Sequence, residues 1–257
     1  MREKFRYEKR LVAFLDVLGM QAVILESETN AQLLGIVEEV YDLLKHSEQT
    51  DKIAAVAIEQ LYMGPLGYLI DEMVVPPVSS IIEKFGIDHR VTQMSDSLVC
   101  SVSLPEPQNR GADEVFATVI RVSIFLFHIR LWALALLEQG FATRGGIAVG
   151  NMYHSSSQAV GPALVRAYHT YLEAGYPRIA VERDLALDLS GGKLESLEVI
   201  RRDEDGIYYL DVLAKNPWYP GFPYHRDKLL QIIKKNLADA DDDKKIKAWS
   251  WMLRHLS

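Results

Sequence analysis

The sequence predicts an α+β fold, one sheet covered by helices, and three observations carry it. Residues 11–18 are apolar and β-branched, residues 113–139 form a long helical stretch, and two hairpin patterns surround Asp96 and Gly206. The chain has 257 residues, 49% of them hydrophobic, enough for a real core.

The first strand stops at Gly19. Within residues 31–46, Leu33, Leu34, Val37, Val40, Tyr41 and Leu44 fall at helical spacing with acids on the other face. Gly and Pro interrupt residues 48–80, which read as an insertion without an assigned structure, and SSIIEKFG reads as a helix end capped at Gly86. Two short strands span residues 89–103 about a Ser-Asp-Ser turn with Asp96 at the tip. LPEPQNRGAD is a loop, and the helix over 113–139 is stopped by Gly140. FATRGGIAVGNMY reads as strand, with glycines suited to close backbone approach. Residues 161–174 return to helix, PRIAVE to a short strand, and LEVIRRDEDGIYYLDVL to a hairpin with an Asp-Gly turn. The order β-α-β-β-α-β, with an additional α-β and a hairpin, is the ferredoxin-like arrangement. After Lys215 a Pro-rich stretch leads to helices over 226–238 and 243–256. Trp249, Met252 and Leu253 form an apolar stripe suited to packing on the domain or on a dimer mate.

A net charge of −7 argues against a surface built for general adhesion to nucleic acid or anionic lipid. The single cysteine, Cys100, excludes an intrachain disulfide and reads as a small buried hydrophobe in a reducing compartment. The apolar run over 115–137 contains Arg121, His128 and Arg130, which argues against a membrane span. The N-terminal stretch lacks a cleavage site, so no signal peptide and a cytoplasmic location are expected.

Asp16 stands in an apolar strand, where an ionised and unpaired carboxylate costs several kcal/mol. A metal ion, a basic side chain or solvent beside Gly19 would compensate it; capping the turn into the next helix is the structural alternative. Asp96 alone is ordinary turn chemistry. Together, the end of the first strand and the hairpin tip would set two carboxylates at one sheet edge, a donor set that suits Mg²⁺ or Mn²⁺.

FLDVLGM, residues 14–20, resembles the metal-binding first strand of class III nucleotidyl cyclases. QMSDSLV is similar to their Ile-Gly-Asp hairpin, with Ser95 in place of glycine. TRGGIAVG, AVGPALVRAYHTYLE and YPRIAVE follow in the family's order, so the resemblance covers about residues 10–215. It implies a cyclase catalytic domain over 1–215, with the insertion at about 48–80, and a helical extension over 216–257. It implies that Asp16, Asp96 and the Val17 carbonyl hold two divalent ions, Mn²⁺ or Mg²⁺, and that Arg144 holds the triphosphate. Gly19 and Met20 would offer helix N–H groups to phosphate oxygens, with Arg201 or Arg202 at the position of a phosphate-contacting lysine. The substrate would be a nucleoside triphosphate, cyclised at the interface of a head-to-tail homodimer, with no nucleic-acid or membrane partner.

The departures from the family pattern concern both catalysis and the base. The helix positions usually held by asparagine and arginine carry Val165 and His169, leaving Arg166 or a protonated His169 to supply charge. The base-reading positions carry Thr92 and, on the partner side, Gln158, each able to donate and accept. This hybrid looks like the pyrimidine cyclases of Pycsar anti-phage systems, making cyclic UMP or cyclic CMP, with UTP favoured. A purine cyclase with an unusual pocket and a nucleotide-binding module without turnover are the alternatives.

Overall fold

The computed structural model describes residues 5–45, 88–105, 112–190, 199–213 and 226–256. The insertion at 48–80, the helix end at Gly86 and the Pro-rich stretch 216–225 lie outside the described residues.

Strand β1 (Glu8–Leu18) pairs antiparallel on both sides, with β3 (Ser97–Ser103) and β4 (Ala142–His154). Because it is interior to the sheet and covered on both faces, it reads as a continuous apolar run rather than an alternation. Leu11, Ala13, Leu15 and Val17 join Val122, Phe125, Ile129 and Leu136 of helix α3 (Ala112–Glu138) in the main core. Val12, with Phe14 beside it, packs on the opposite face against Ala163 and Ala167 of a later helix. Strand β2 (His89–Met94) closes a hairpin with β3 at the sheet edge.

The sheet order is β2-β3-β1-β4, extended by β6 (Ile179–Val181), β8 (Tyr208–Leu210) and β7 (Ile200–Arg202). Its first four strands have the ferredoxin-like order, so the expected α+β fold is observed. A two-residue strand, β5 (Ala159–Val160), folds back on the end of β4.

Helix α1 (Met20–Ser27) precedes α2 (Ala31–Lys45), whose start is capped by the Asn30 carboxamide oxygen accepting from the Gln32 and Leu33 amides. Helix α4 (Pro162–Glu173) lies directly on β4. A Cβ at Gly146 would stand 2.1 Å from the Ala167 carbonyl oxygen, so only glycine permits this approach. Helix α5 (Arg183–Ser190) is not anticipated by the sequence reading, because eight residues carry little periodic signal. The last hairpin also departs from a two-residue Asp-Gly turn. Arg202 pairs with Tyr208, Gly206 N–H donates to Asp203 O, and Gly206 takes the left-handed conformation at φ 86°.

Helices α6 (Arg226–Ala238) and α7 (Asp243–Leu256) bury Leu229, Ile233, Trp251 and Met252 against Leu134, Leu137, Ala142 and Tyr209. The apolar stripe of the tail therefore packs on the domain, with Trp251 as its most buried aromatic. Helix α3 is long and apolar enough to cross a membrane, but 83% of that window is buried within the protein. Cys100 is fully buried, and burial pushes its thiol up.

On the core side, the rings of His89 and His128 lie 4.9 Å apart, and the His128 nitrogens are buried without hydrogen-bond partners. Burial depresses both, His89 to about 4 and His128 to about 3. The unfolded chain takes up a proton at each near pH 6.5. Their full contribution to stability is thus present above pH 6.5 and is lost as pH falls through that value toward 4. Each steepens the loss by up to about 1.4 kcal/mol per pH unit. Urea midpoints measured from pH 7 to 4.5 are expected to fall steeply in the wild type and less steeply in His128→Leu.

Candidate active site

The strand end and the hairpin tip meet. Asp16 is directly opposite Ser97 on one side and Arg144 on the other, and the Val17 N–H donates to the Asp96 carbonyl at 3.1 Å. Two residues on, Gly19 adopts φ 86° and turns the chain into α1. The Met20 side chain is buried in the core, so only its backbone can face a ligand. Ser95, which stands where the resembling motif has glycine, has φ 56° and is the non-glycine residue with positive φ among the described residues. The first position of such a two-residue turn favours glycine.

Of the compensations open to Asp16, the structure supplies a basic side chain. Arg144 Nη2 lies 3.4 Å from Asp16 Oδ2, the Tyr171 hydroxyl donates to the same oxygen at 3.1 Å, and Arg144 Nη2 donates to the Tyr171 hydroxyl at 2.5 Å. The guanidinium stacks over the Tyr171 ring, 4.5 Å from its centroid, while Arg144 Nε is buried with no partner. Burial, reinforced by Asp16, pushes the Tyr171 phenol up, so it stays a donor at neutral pH. Sequence reasoning missed Tyr171. Its role depends on Gly146 admitting α4 onto the sheet, which no local pattern around Tyr171 signals. Among the described residues no group of three or more His, Cys, Asp or Glu side chains clusters.

A second polar centre lies further along the same sheet face, level with Val12 and Phe14. The Thr92 hydroxyl is 3.0 Å from His154 Nε2, and His154 Nδ1 is 2.7 Å from Ser101 Oγ. Arg10, with no exposed side-chain surface, donates to Ser101 Oγ at 2.8 Å and to Asp88 Oδ2 at 2.8 Å. Arg90 donates to the His154 carbonyl. Gln158 is exposed in the turn that follows His154, where Ser155 N–H donates to the Gln158 carbonyl at 2.8 Å. Thr92 and the turn bearing Gln158 therefore neighbour each other within one chain. The contact arises because β4 runs on to His154 and turns over the β2–β3 hairpin. The bend that brings His154 beside Ser101 and Thr92 carries the Gln158 turn over β2 and β3, where Ser101 pairs with Val12 and Thr92 with Val99.

Arg166 and His169 line a cleft that does not include Asp16. It measures about 560 Å³ and lies between α4, β6 and the β7–β8 turn, with Glu182, Arg183 and Asp205 on its walls. Arg166 Nε is 3.4 Å from Glu182 Oε1. Tyr171, on another face of the same helix, is the residue that touches Asp16. Arg201 pairs with Asp211 at 2.6 Å, and Arg202 donates to the Gly206 carbonyl. That turn is held by Arg178, 1% exposed, which pairs with Asp203 and Asp205, and by Trp251, whose indole N–H donates to Asp203 at 2.8 Å.

No family model and no curated protein matches this chain. Among solved structures it is similar to the adenylyl cyclase CyaB from P. aeruginosa, at 15% identity over 81% of this chain and 96% of that one, with a TM-score of 0.41. The guanylyl cyclase Cya2 is similar at 14% identity over 87% and 98%, with a TM-score of 0.35. An adenylate/guanylate cyclase/hydrolase from Silicibacter pomeroyi is similar at 10% identity over 80% and 96%, with a TM-score of 0.34.

Relief of the left-handed strain at Ser95, about 1–2 kcal/mol, outweighs the extra unfolded-state freedom of glycine, roughly 0.5–1 kcal/mol. Ser95→Gly is expected to raise the urea midpoint by an amount equivalent to about 0.5–1 kcal/mol; a fall would show that the serine side chain itself holds the hairpin.

Proposed function

We propose that the chain is a nucleotidyl cyclase that converts a nucleoside triphosphate to its 3′,5′-cyclic nucleotide and pyrophosphate. The observation that carries this reading is the Val17–Asp96 backbone bond, which sets the hairpin-tip aspartate beside Asp16 at one strand end. The donor set fits hard divalent cations: Asp16, Asp96 and the Val17 carbonyl would hold two ions, Mn²⁺ or Mg²⁺. When bound, such ions lower the pKa of the attacking hydroxyl and neutralise charge on the leaving group.

The chain's own groups position the triphosphate. Arg144, steadied over Tyr171 and with its buried Nε free, presents N–H donors beside the carboxylates, and the backbone N–H groups after Gly19 face the same strand end. The ribose 3′-oxygen loses its proton and bonds to the α-phosphorus while the bond to the β-phosphate oxygen breaks. Arg166 or His169 supplies charge to that step, and Arg201 or Arg202 contacts the departing phosphates. Since Arg166 and His169 line a cleft that does not include Asp16 in one chain, a complete site takes its second wall from another copy. This supports a head-to-tail homodimer. In this reading residues 1–215 are the catalytic domain and 216–257 an extension, the protein works in the cytoplasm, and its partners include neither nucleic acid nor membrane.

Thr92 and Gln158 support a pyrimidine substrate, UTP first and CTP second, and with it a messenger role in anti-phage defence of the Pycsar kind. A short hydroxyl leaves room at the base wall and offers one hydrogen bond in place of a long or charged side chain.

The decisive experiment is incubation of the pure protein with each of the four ribonucleoside triphosphates and Mn²⁺, with mass identification of products. Cyclic UMP is expected as the main product. Cyclic AMP or cyclic GMP in its place would remove the pyrimidine reading and keep the cyclase, and nucleotide binding without any product would leave a binding module. Asp16→Asn and Asp96→Asn are each expected to lower turnover by a factor of a hundred or more with unchanged thermal unfolding; near wild-type turnover in either would end the two-metal assignment. Mixing Asp96→Asn chains with Arg166→Ala chains is expected to restore part of the activity lost in each, whereas an active monomer in sedimentation would contradict the shared site.

A further inference from the structure

The hydrogen-bond chain that ends on Thr92 has a direction, and its buried end sets it. Arg10 is a permanent cation with donors only, so Ser101 Oγ accepts from its Nε–H. Ser101 is fully buried, and its remaining partner is His154 Nδ1 at 2.7 Å. If Nδ1 carried a proton, both neighbours would donate to Ser101 and its own hydrogen would be buried without an acceptor, at the full desolvation cost of that group. Ser101 therefore donates to Nδ1, and the ring proton sits on Nε2. Burial first, then Arg10 and Arg90, depresses this imidazole to about 4, so near pH 7 it carries one proton and not two. Nε2–H then donates to Thr92 Oγ1 at 3.0 Å, and the Thr92 hydrogen is left to point outward from a half-buried position.

We infer that the Arg10–Ser101–His154 relay fixes the Thr92 hydroxyl as a hydrogen-bond donor, so that the site selects a base presenting a carbonyl oxygen over one presenting an amino group. Between the pyrimidines this favours uracil over cytosine, and for any purine admitted it favours guanine over adenine. His154 and Ser101 are positioning residues in this scheme, and Thr92 is the contact. The inference rests on the cyclase reading for the place of the base, and on the buried chain alone for the direction of the donor.

The test uses the full-length protein with Mn²⁺ and each triphosphate, reading kcat/KM together with binding by equilibrium dialysis, and ¹⁵N NMR of the histidine rings. UTP is expected to exceed CTP by about tenfold or more, the size of one mismatched buried contact. Thr92→Val, which keeps the shape and removes the hydroxyl, is expected to bring the ratio toward one. Ser101→Ala is expected to lower the ratio and shift His154 toward the Nδ1–H form, and Ser101→Thr to retain both. Wild-type CTP use equal to UTP use, a wild-type Nδ1–H tautomer, or an unchanged ratio in Thr92→Val would each overturn the inference. If Ser101→Ala does not fold, Thr92→Val and the wild-type tautomer decide. A protein that binds UTP over CTP yet cyclises neither would uphold the relay and end the cyclase reading; one that discriminates in neither binding nor turnover would overturn the relay.

Discussion

A carboxylate at the end of an apolar strand interior to the sheet is the constraint on which this molecule turns. Asp16 shares its strand with Leu11, Ala13, Leu15 and Val17, all buried, and it needs a partner that the same strand cannot provide. The partner comes from the neighbouring strand in exact register, Arg144, and from a helix that the sheet admits only because Gly146 has no side chain. Remove any of these and Asp16 is left either unpaired or flooded with water. The same three elements bring the Arg144 guanidinium, the Tyr171 hydroxyl and the Asp16 carboxylate to one point.

Strand β1 carries a second charge with the same logic and the opposite sign. Arg10 lies six residues before Asp16, an even number, so both point to one face, about 20 Å apart. Arg10 is wholly buried and is matched by Glu8, Asp88 and Ser101, with His154 one bond further. A dry interior tolerates such a cation because its donors are taken up by oxygen acceptors. The sheet face thereby carries a carboxylate near one end of β1 and a buried cation near the other, with Val12 and Phe14 between them.

The C-terminal helices are tied to the chemistry-bearing side by a buried cation of their own. Arg178 draws Asp203 and Asp205 of the β7–β8 turn inward, and Trp251 of α7 donates to Asp203 while stacking near Tyr176. The turn next to Arg201 and Arg202 is therefore shaped by residues nearly fifty positions later in the chain. Its acids are held below the ordinary carboxylate range by these hydrogen bonds and by Arg178, which outweigh the opposing effect of burial.

What the amino-acid order determined by itself was everything local. Apolar runs and helical spacing placed β1, α2, α3, the Asp96 hairpin and both terminal helices to within a few residues, because these signals reside in neighbours along the chain. The α+β order followed, and with it the meeting of Asp16 and Asp96, since antiparallel pairing of β1 with the hairpin leaves their ends at one edge. The eight-residue α5, the longer turn at Gly206 and the burial of Trp251 were not legible, for each depends on contacts distant in sequence. Tertiary structure alone decided that Arg144 and Tyr171 converge on Asp16, that Thr92 is bonded to His154, and that Arg166 and His169 line a separate cleft. A side chain's partner across a sheet is set by register and by how closely a helix can approach, and neither is written in the residue types at either end.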